Sequence, residues 1–152
     1  MTIISHYLSS DDIVVDLAVP DKGRAFEEIA SLVERNHKVS HGLVLSALWR
    51  RERIGSTGLG HGIAVPHARI EEIAEPIVLF IRTRHPIVFN SPDHKPVSFL
   101  LVILVPEHAT EEHLQILASA SERFSDKSFR DRLEAAADPA AILRLFSKWG
   151  TK

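Results

Sequence analysis

Cysteine is absent from this chain of 152 residues, and with it go disulfides, thiolate metal sites and thiol nucleophiles. The same absence fits a reducing compartment. Long apolar runs are missing too. The longest, Phe99 to Val105 ahead of Pro106, falls far short of the roughly 20 residues that span a bilayer. No run of five like charges suggests an interaction tail. The formal net charge of -2 leaves no basic surplus, which argues against nucleic acid as the main partner. MTIISHYLSSDD at the N-terminus lacks a basic n-region and a sustained apolar stretch, so it does not read as a secretory signal. What is left is a soluble, cytoplasmic protein with no membrane insertion. Its abundant nucleophile is histidine, present nine times.

The length suits one domain over residues 1–152, with no linker, repeat or low-complexity tract to divide it. Ile13 to Val19 is β-prone and stops at Pro20, which predicts a first strand. Asp21 reads as an N-cap for a helix with Phe26, Ile29, Ala30 and Val33 on one face. Ser40 reads as the cap of a second helix through about Arg53. Residues 55–62, GSTGLGHG, read as a loop, followed by a short strand Ile63 to Val65 that ends at Pro66-His67. Ile77 to Ile81 and Val97 to Val105 are nearly continuous apolar runs, as expected of strands covered on both faces. Ile87 to Phe89 predicts a further short strand before the turn Asn90-Ser91-Pro92-Asp93. Thr110 reads as a cap for a helix with Leu114, Leu117 and Phe124 inward, and a helix follows over about Ser128 to Ala137. Asp138 with Pro139 opens a last amphipathic helix carrying Ile142, Leu145, Phe146 and Trp149. Strands and helices alternate, so the expected fold is α/β, a sandwich with a mixed sheet flanked by helices.

Chemistry concentrates in residues 50–67, RRERIGSTGLGHGIAVPH. Glycines at 55, 58, 60 and 62 permit close backbone approach, and successive amides in such a loop can form an anion-binding concavity. Ser56 and Thr57 add hydroxyls, and the Gly58 amide joins them as a candidate phosphate ligand. Arg51 adds a fixed fork suited to phosphate oxygens. A nucleotide loop is a poor fit. His61 follows Gly60 where a Walker loop needs Gly-Lys-Ser/Thr, and the segment runs helix to strand where a dinucleotide fingerprint runs strand to helix. A single phosphoryl group delivered by another protein fits better. His67, held after a proline, is the acceptor candidate, because imidazole is partly neutral near pH 7 and forms an N–P bond that can be passed on.

The run from Arg51 to His67 closely resembles the type-2 IIA domains of the bacterial phosphotransferase system, the fructose, mannitol and nitrogen-regulatory class. FNSPDHKPVSFLLVILVPEHATEEHLQILA, from Phe89 onward, is similar to that family's second stretch, and the resemblance covers essentially the whole chain. It implies that His67 is the phosphoacceptor, that Arg51 is the arginine opening the motif, and that His113 is its active-site neighbour. No cofactor is expected and no metal, since His108 and His113, five apart with Glu111 and Glu112 between them, do not match HExxH. The partners the resemblance implies are an HPr-like phosphocarrier and proteins regulated by the phosphorylation state. Asn90 stands where Asp is common in that family, and His85-Pro86 replaces a more usual Gly-containing step.

Three functions compete. A nitrogen-regulatory IIA protein is favoured, since the chain runs to Lys152 without a fused membrane domain and begins with the kind of stretch expected of the stand-alone form. A sugar-specific IIA that passes phosphoryl to a IIB domain shares the same acceptor chemistry. A binding domain that is never phosphorylated would have no need of a nucleophile. Read alone, His67 would be a surface or structural histidine and Arg51 a solvated helix-end charge. His113 would be a residue of a first helical turn, and Ser56 and Thr57 would merely shape a turn. The surface around His67 is expected to be apolar and weakly acidic, with Leu59 and Ile70 as apolar contacts and Glu71, Glu72 and Glu75 as an acidic rim.

Overall fold

The computed structural model describes residues 3–109 and 111–148, without the side chains of Ile3 and residues 111–114. A short helix α1 (Ile3–Tyr7) and one 3₁₀ turn lead into strand β1 (Ile13–Leu17). Asp21 caps α2 (Lys22–His37), its Oδ1 accepting from the Arg24 amide at 2.9 Å, as an N-cap carboxylate should. Lys38, in the left-handed region at φ 62°, ends it. Helix α3 (His41–Ile54) starts where Ser40 was expected to cap, but the Ser40 hydroxyl makes no cap bond. Glu34 Oε2, from the preceding helix, takes the His41 amide instead.

The glycine-rich segment differs from its sequence reading. Gly58–Gly60 forms strand β2, paired antiparallel with β3 (Ile63–Ala64), so this part of the expected loop is one arm of a tight hairpin. Gly60 and Gly62 at positive φ, with His61 at 57° between them, make the turn. After Val65-Pro66 the chain resumes as β4 (His67–Ile70), so His67 opens a strand where the sequence suggested that one ends. Both pieces pair in parallel with β6 (Val97–Pro106) and act as one strand interrupted at a proline, its β3 half covered by β2 and its β4 half at the sheet edge. Strand β5 (Ile77–Ile87) takes in only Ile87 of the separate strand expected at Ile87 to Phe89, and Val88 and Phe89 lie outside any strand; a register shift between Arg82 and Ile87 spans the His85-Pro86 step.

The sheet order is β1-β5-β6-β3-β2, with β4 also on β6; β1 is parallel to β5 and β5 antiparallel to β6. Alternation along β5 and β6 builds two cores. Leu79, Ile81, Leu100, Val102 and Leu104 face α2 and α3, whereas Val78, Phe80, Phe99, Leu101 and Ile103 face the opposite way. That second core is closed by α1, α4 (Glu111–Phe124), α5 (Lys127–Ala135) and α6 (Pro139–Ser147). The result is the expected α/β sandwich, a mixed sheet with helices on both faces. The α6 N-cap holds as read, Asp138 Oδ1 accepting from the Ala141 amide. Thr110 and Trp149 lie outside the described residues, as does the side chain of Leu114. Among the described residues no helix is long and apolar enough to cross a membrane.

Candidate functional site

The break at Pro66 in this interrupted strand sets the site. Pro66 has no amide hydrogen to donate, but its carbonyl accepts from Ile103 N at 3.0 Å, which keeps the chain on β6. In β4, Ala68 and Ile70 turn toward the α2/α3 core, so His67 and Arg69 face the other side. The last turn of α3 lies against β4 and brings Arg51 over the sheet edge. Its Nε donates to His67 Nε2 at 3.2 Å, and its Nη1 donates to the Gly55 carbonyl at 2.8 Å. His67 Nδ1 lies 2.8 Å from the Val65 carbonyl. A carbonyl can only accept, so Nδ1 carries the proton and Nε2 keeps its lone pair toward the guanidinium.

The electrostatics favour the same state. Burial is the largest influence holding the His67 pKa below its ordinary value, and the Arg51 charge adds to it. The bond to Val65, second in size only to burial, and the smaller effect of the Glu52 carboxylate oppose the shift without reversing it. A neutral, half-buried imidazole with one fixed tautomer is a nucleophile at Nε2.

His67 lies between two depressions. One, of about 400 Å³, has a floor of Ala47, Ala68, Ile103 and Val105. The other runs beside Ser56, Leu59 and Ser121. Leu117 of α4 borders both. The charged side chains on these walls, among the described residues, are Arg50, Arg51 and Arg69, which replaces the acidic rim expected from the sequence. Glu72 and Glu75 instead border a separate groove with His6, Tyr7, His37 and Lys38. Ile70 is 1% exposed and belongs to the core, whereas Leu59 remains at the surface. The alternation of a strand decides both placements.

The loop residues expected to bind phosphate are turned inward. Ser56 Oγ donates to the Phe89 carbonyl at 2.7 Å and accepts from Gly58 N at 3.1 Å. Thr57, 5% exposed, donates both its hydroxyl and its amide to Glu52. The donors of Ser56, Thr57 and Gly58 are therefore spent on shaping the turn. His113 stands in the first turn of α4, and its side chain lies outside the described residues.

Glu52 is the residue that the sequence reading passed over. It is buried, next to Arg51 in sequence, and its carboxylate accepts from Lys22 Nζ at 2.8 Å as well as from Thr57. A glutamate inside RRER looks like one charge of a solvated helix end, and nothing local in that pattern signals burial. Among the described residues, no three His, Asp or Glu side chains gather where they would hold a metal ion.

Comparison with known proteins completes the description. Residues 6–149 match the family model described as phosphoenolpyruvate-dependent sugar phosphotransferase system, EIIA 2. A nitrogen regulatory protein of Pseudomonas aeruginosa is 37% identical over 133 residues, covering 87% of this chain and 86% of that protein. A fructose-specific EIIA component of the phosphotransferase system from Haloferax volcanii is 36% identical over 131 residues, covering 86% and 76%. The crystal structure of the nitrogen regulatory protein IIA-Ntr from Neisseria meningitidis superposes with a TM-score of 0.90 at 42% identity, covering 95% of this chain and 99% of that one.

Proposed function

Because the chain belongs to the EIIA 2 family of the phosphoenolpyruvate-dependent sugar phosphotransferase system, we propose that it is a cytoplasmic phosphocarrier whose His67 accepts a phosphoryl group from an HPr-like protein. The observation that carries this reading is the imidazole held at both nitrogens, Nδ1 on Val65 O and Nε2 under the Arg51 guanidinium. Nε2 attacks phosphorus of the carrier's phosphohistidine; the new Nε2–P bond forms as the carrier's N–P bond breaks. The electron pair of that bond returns to the carrier's imidazole, and no proton has to move. Nδ1 keeps its hydrogen, and the Val65 carbonyl stabilises the cationic ring that results. Arg51 gives up Nε2 to the incoming phosphorus and donates to the phosphoryl oxygens, where charge concentrates during transfer.

His113 is proposed as the second phosphate partner. Position 113 is one turn ahead of Leu117 on α4, and Leu117 borders both depressions at His67. Ser56, Thr57 and Gly58 reach a phosphoryl group only by exchanging the partners they now have, so their first role is to hold the turn. The likeness to nitrogen regulatory proteins favours a chain that controls nitrogen- or potassium-related targets through its phosphorylation state. The fructose-specific relative at 36% identity keeps a second reading open, a IIA component that passes phosphoryl to a IIB domain during uptake.

One assay tests both. The protein is incubated with phosphoenolpyruvate and the purified enzymes and carriers of a nitrogen-type and a sugar-type system, and acid-labile phosphate is measured. Fast label from the nitrogen-type carrier with slow onward transfer to IIB domains supports the regulatory reading. Rapid passage to a fructose- or mannitol-type IIB domain selects the second. No label from either carrier rejects the phosphocarrier role.

A further inference from the structure

The buried carboxylate of Glu52 has three donors on it. Lys22 Nζ stands 2.8 Å from Oε2, the Thr57 amide 3.1 Å from Oε2, and the Thr57 hydroxyl 2.7 Å from Oε1. Its side chain is 3% exposed, so the charge needs every one of them. Lys22 is itself held, its ammonium 4.4 Å from the Phe89 ring centroid and 3.4 Å from Asn90 Oδ1.

Two paths lead from this clamp to His67. The Thr57 carbonyl accepts from Val65 N at 2.9 Å, and the Val65 carbonyl accepts from His67 Nδ1 at 2.8 Å. On the other side, the short turn between Glu52 and Thr57 contains Gly55, whose carbonyl fixes Arg51 Nη1 at 2.8 Å while Nε meets His67 Nε2. Thr57 is thus the common anchor for what touches each ring nitrogen.

We propose that Glu52 is a positioning residue for chemistry at His67, its clamp on Thr57 fixing both hydrogen bonds of the imidazole; this rests on the reading of His67 as phosphoacceptor. Without the clamp, Thr57 drifts, and the Val65 carbonyl and Arg51 lose their register on the ring. The imidazole is then free to move its proton to Nε2, which removes the lone pair that would attack phosphorus. A misplacement of about 1 Å at such a site costs on the order of 10²-fold in rate.

The test compares Glu52→Gln, Glu52→Asp, Thr57→Val and Thr57→Ser with the wild type by two readouts. The first is kcat and KM for transfer from a phosphorylated HPr-like carrier. The second, with no carrier present, is the pair of ¹⁵N NMR signals of the His67 ring, which report the tautomer. Glu52→Gln should lower kcat by about 10²-fold with KM near that of the wild type, and its ring signals should move toward a mixture of tautomers. Thr57→Val should move both readouts the same way, less far, and Glu52→Asp and Thr57→Ser should recover part of what Gln and Val lose. Wild-type kcat and ring signals in folded Glu52→Gln would overturn the proposal and leave Glu52 as an anchor of the fold alone. If Glu52→Gln does not fold, Thr57→Val decides on the same two measurements. If the wild type itself accepts no phosphoryl group, the proposed function falls. The ring signals then decide the clamp alone, a tautomer shift in Glu52→Gln supporting it and an unchanged pair rejecting it.

Discussion

At His67 the chemistry depends on which nitrogen keeps its lone pair, and two hydrogen bonds decide that. His67→Ala should abolish acid-labile phosphorylation while the circular dichroism spectrum stays that of the wild type, because an edge-strand position carries little of either core. Stable label in that variant would move the acceptor elsewhere. Arg51→Ala removes the donor aimed at the transferring group and should slow transfer by roughly 10²–10³-fold, or about 2.7–4 kcal/mol. Arg51→Lys should recover only part, since an ammonium cannot hold Gly55 O and a phosphoryl oxygen with one planar fork. Stopped-flow transfer from labelled carrier checks both.

The depressed pKa of His67 also has a consequence for stability. Below the ordinary value of 6.5 the unfolded chain binds a proton that the folded protein refuses. The unfolded state therefore binds more protons, and stability rises with pH across that window. This contribution is complete above 6.5 and is lost as pH falls from there toward the lower folded-state pKa. Urea midpoints measured from pH 7.5 down to 5 should fall less steeply in His67→Gln than in the wild type. Equal slopes would mean that the ring is not held neutral.

Among the elements, the β2–β3 hairpin is tightly constrained at Gly58. A Cβ on Gly58 would stand 2.2 Å from Ser91 Oγ and 2.9 Å from Ser91 Cβ, and Ser91 Oγ is buried without a hydrogen-bond partner among the described residues. Gly58→Ala should therefore cost about 1–3 kcal/mol, measured by denaturant unfolding, and should slow phosphorylation as the turn below it shifts. Adding Ser91→Gly should restore much of the stability by clearing the space. If Gly58→Ala alone unfolds at the wild-type midpoint, the hairpin is looser than this packing. Helix α5 is tied to the sheet in a different way. Arg82 Nη1 on β5 reaches the carbonyls of Leu133 and Ala136 at 2.8 and 2.7 Å, and so satisfies acceptors left open at a helix end.

For the molecule as a whole, one sheet serves two cores. Phe26 lies in the core under α2 and α3, and Phe80 in the core under α4 to α6; both are fully buried. Truncating either to Ala should cost about 3–5 kcal/mol. Since both cores share β5 and β6, each variant should still unfold in one transition, with tryptophan fluorescence and far-ultraviolet circular dichroism coincident. Two separated transitions in either variant would show that the layers fold independently.

Much was determined by local sequence alone. The nearly continuous apolar runs at Ile77 to Ile81 and Val97 to Val105 mark the two central strands, and Asp21 and Asp138 mark their helices, because residue pattern and capping act over a few residues. The motif from Arg51 to His67 is legible for the same reason, as a contiguous run. What only the tertiary structure decided depends on residues far apart in the chain. Pairing with β3 turns Gly58–Gly60 into a strand and pairing with β6 does the same for His67–Ile70, and those pairings set which way Leu59 and Ile70 point. Lys22 and Glu52 are 30 positions apart, and each reads as an ordinary surface charge until α2 and α3 pack together. Burial then obliges Glu52 to find its donors, and those donors hold the turn on which the geometry at His67 depends.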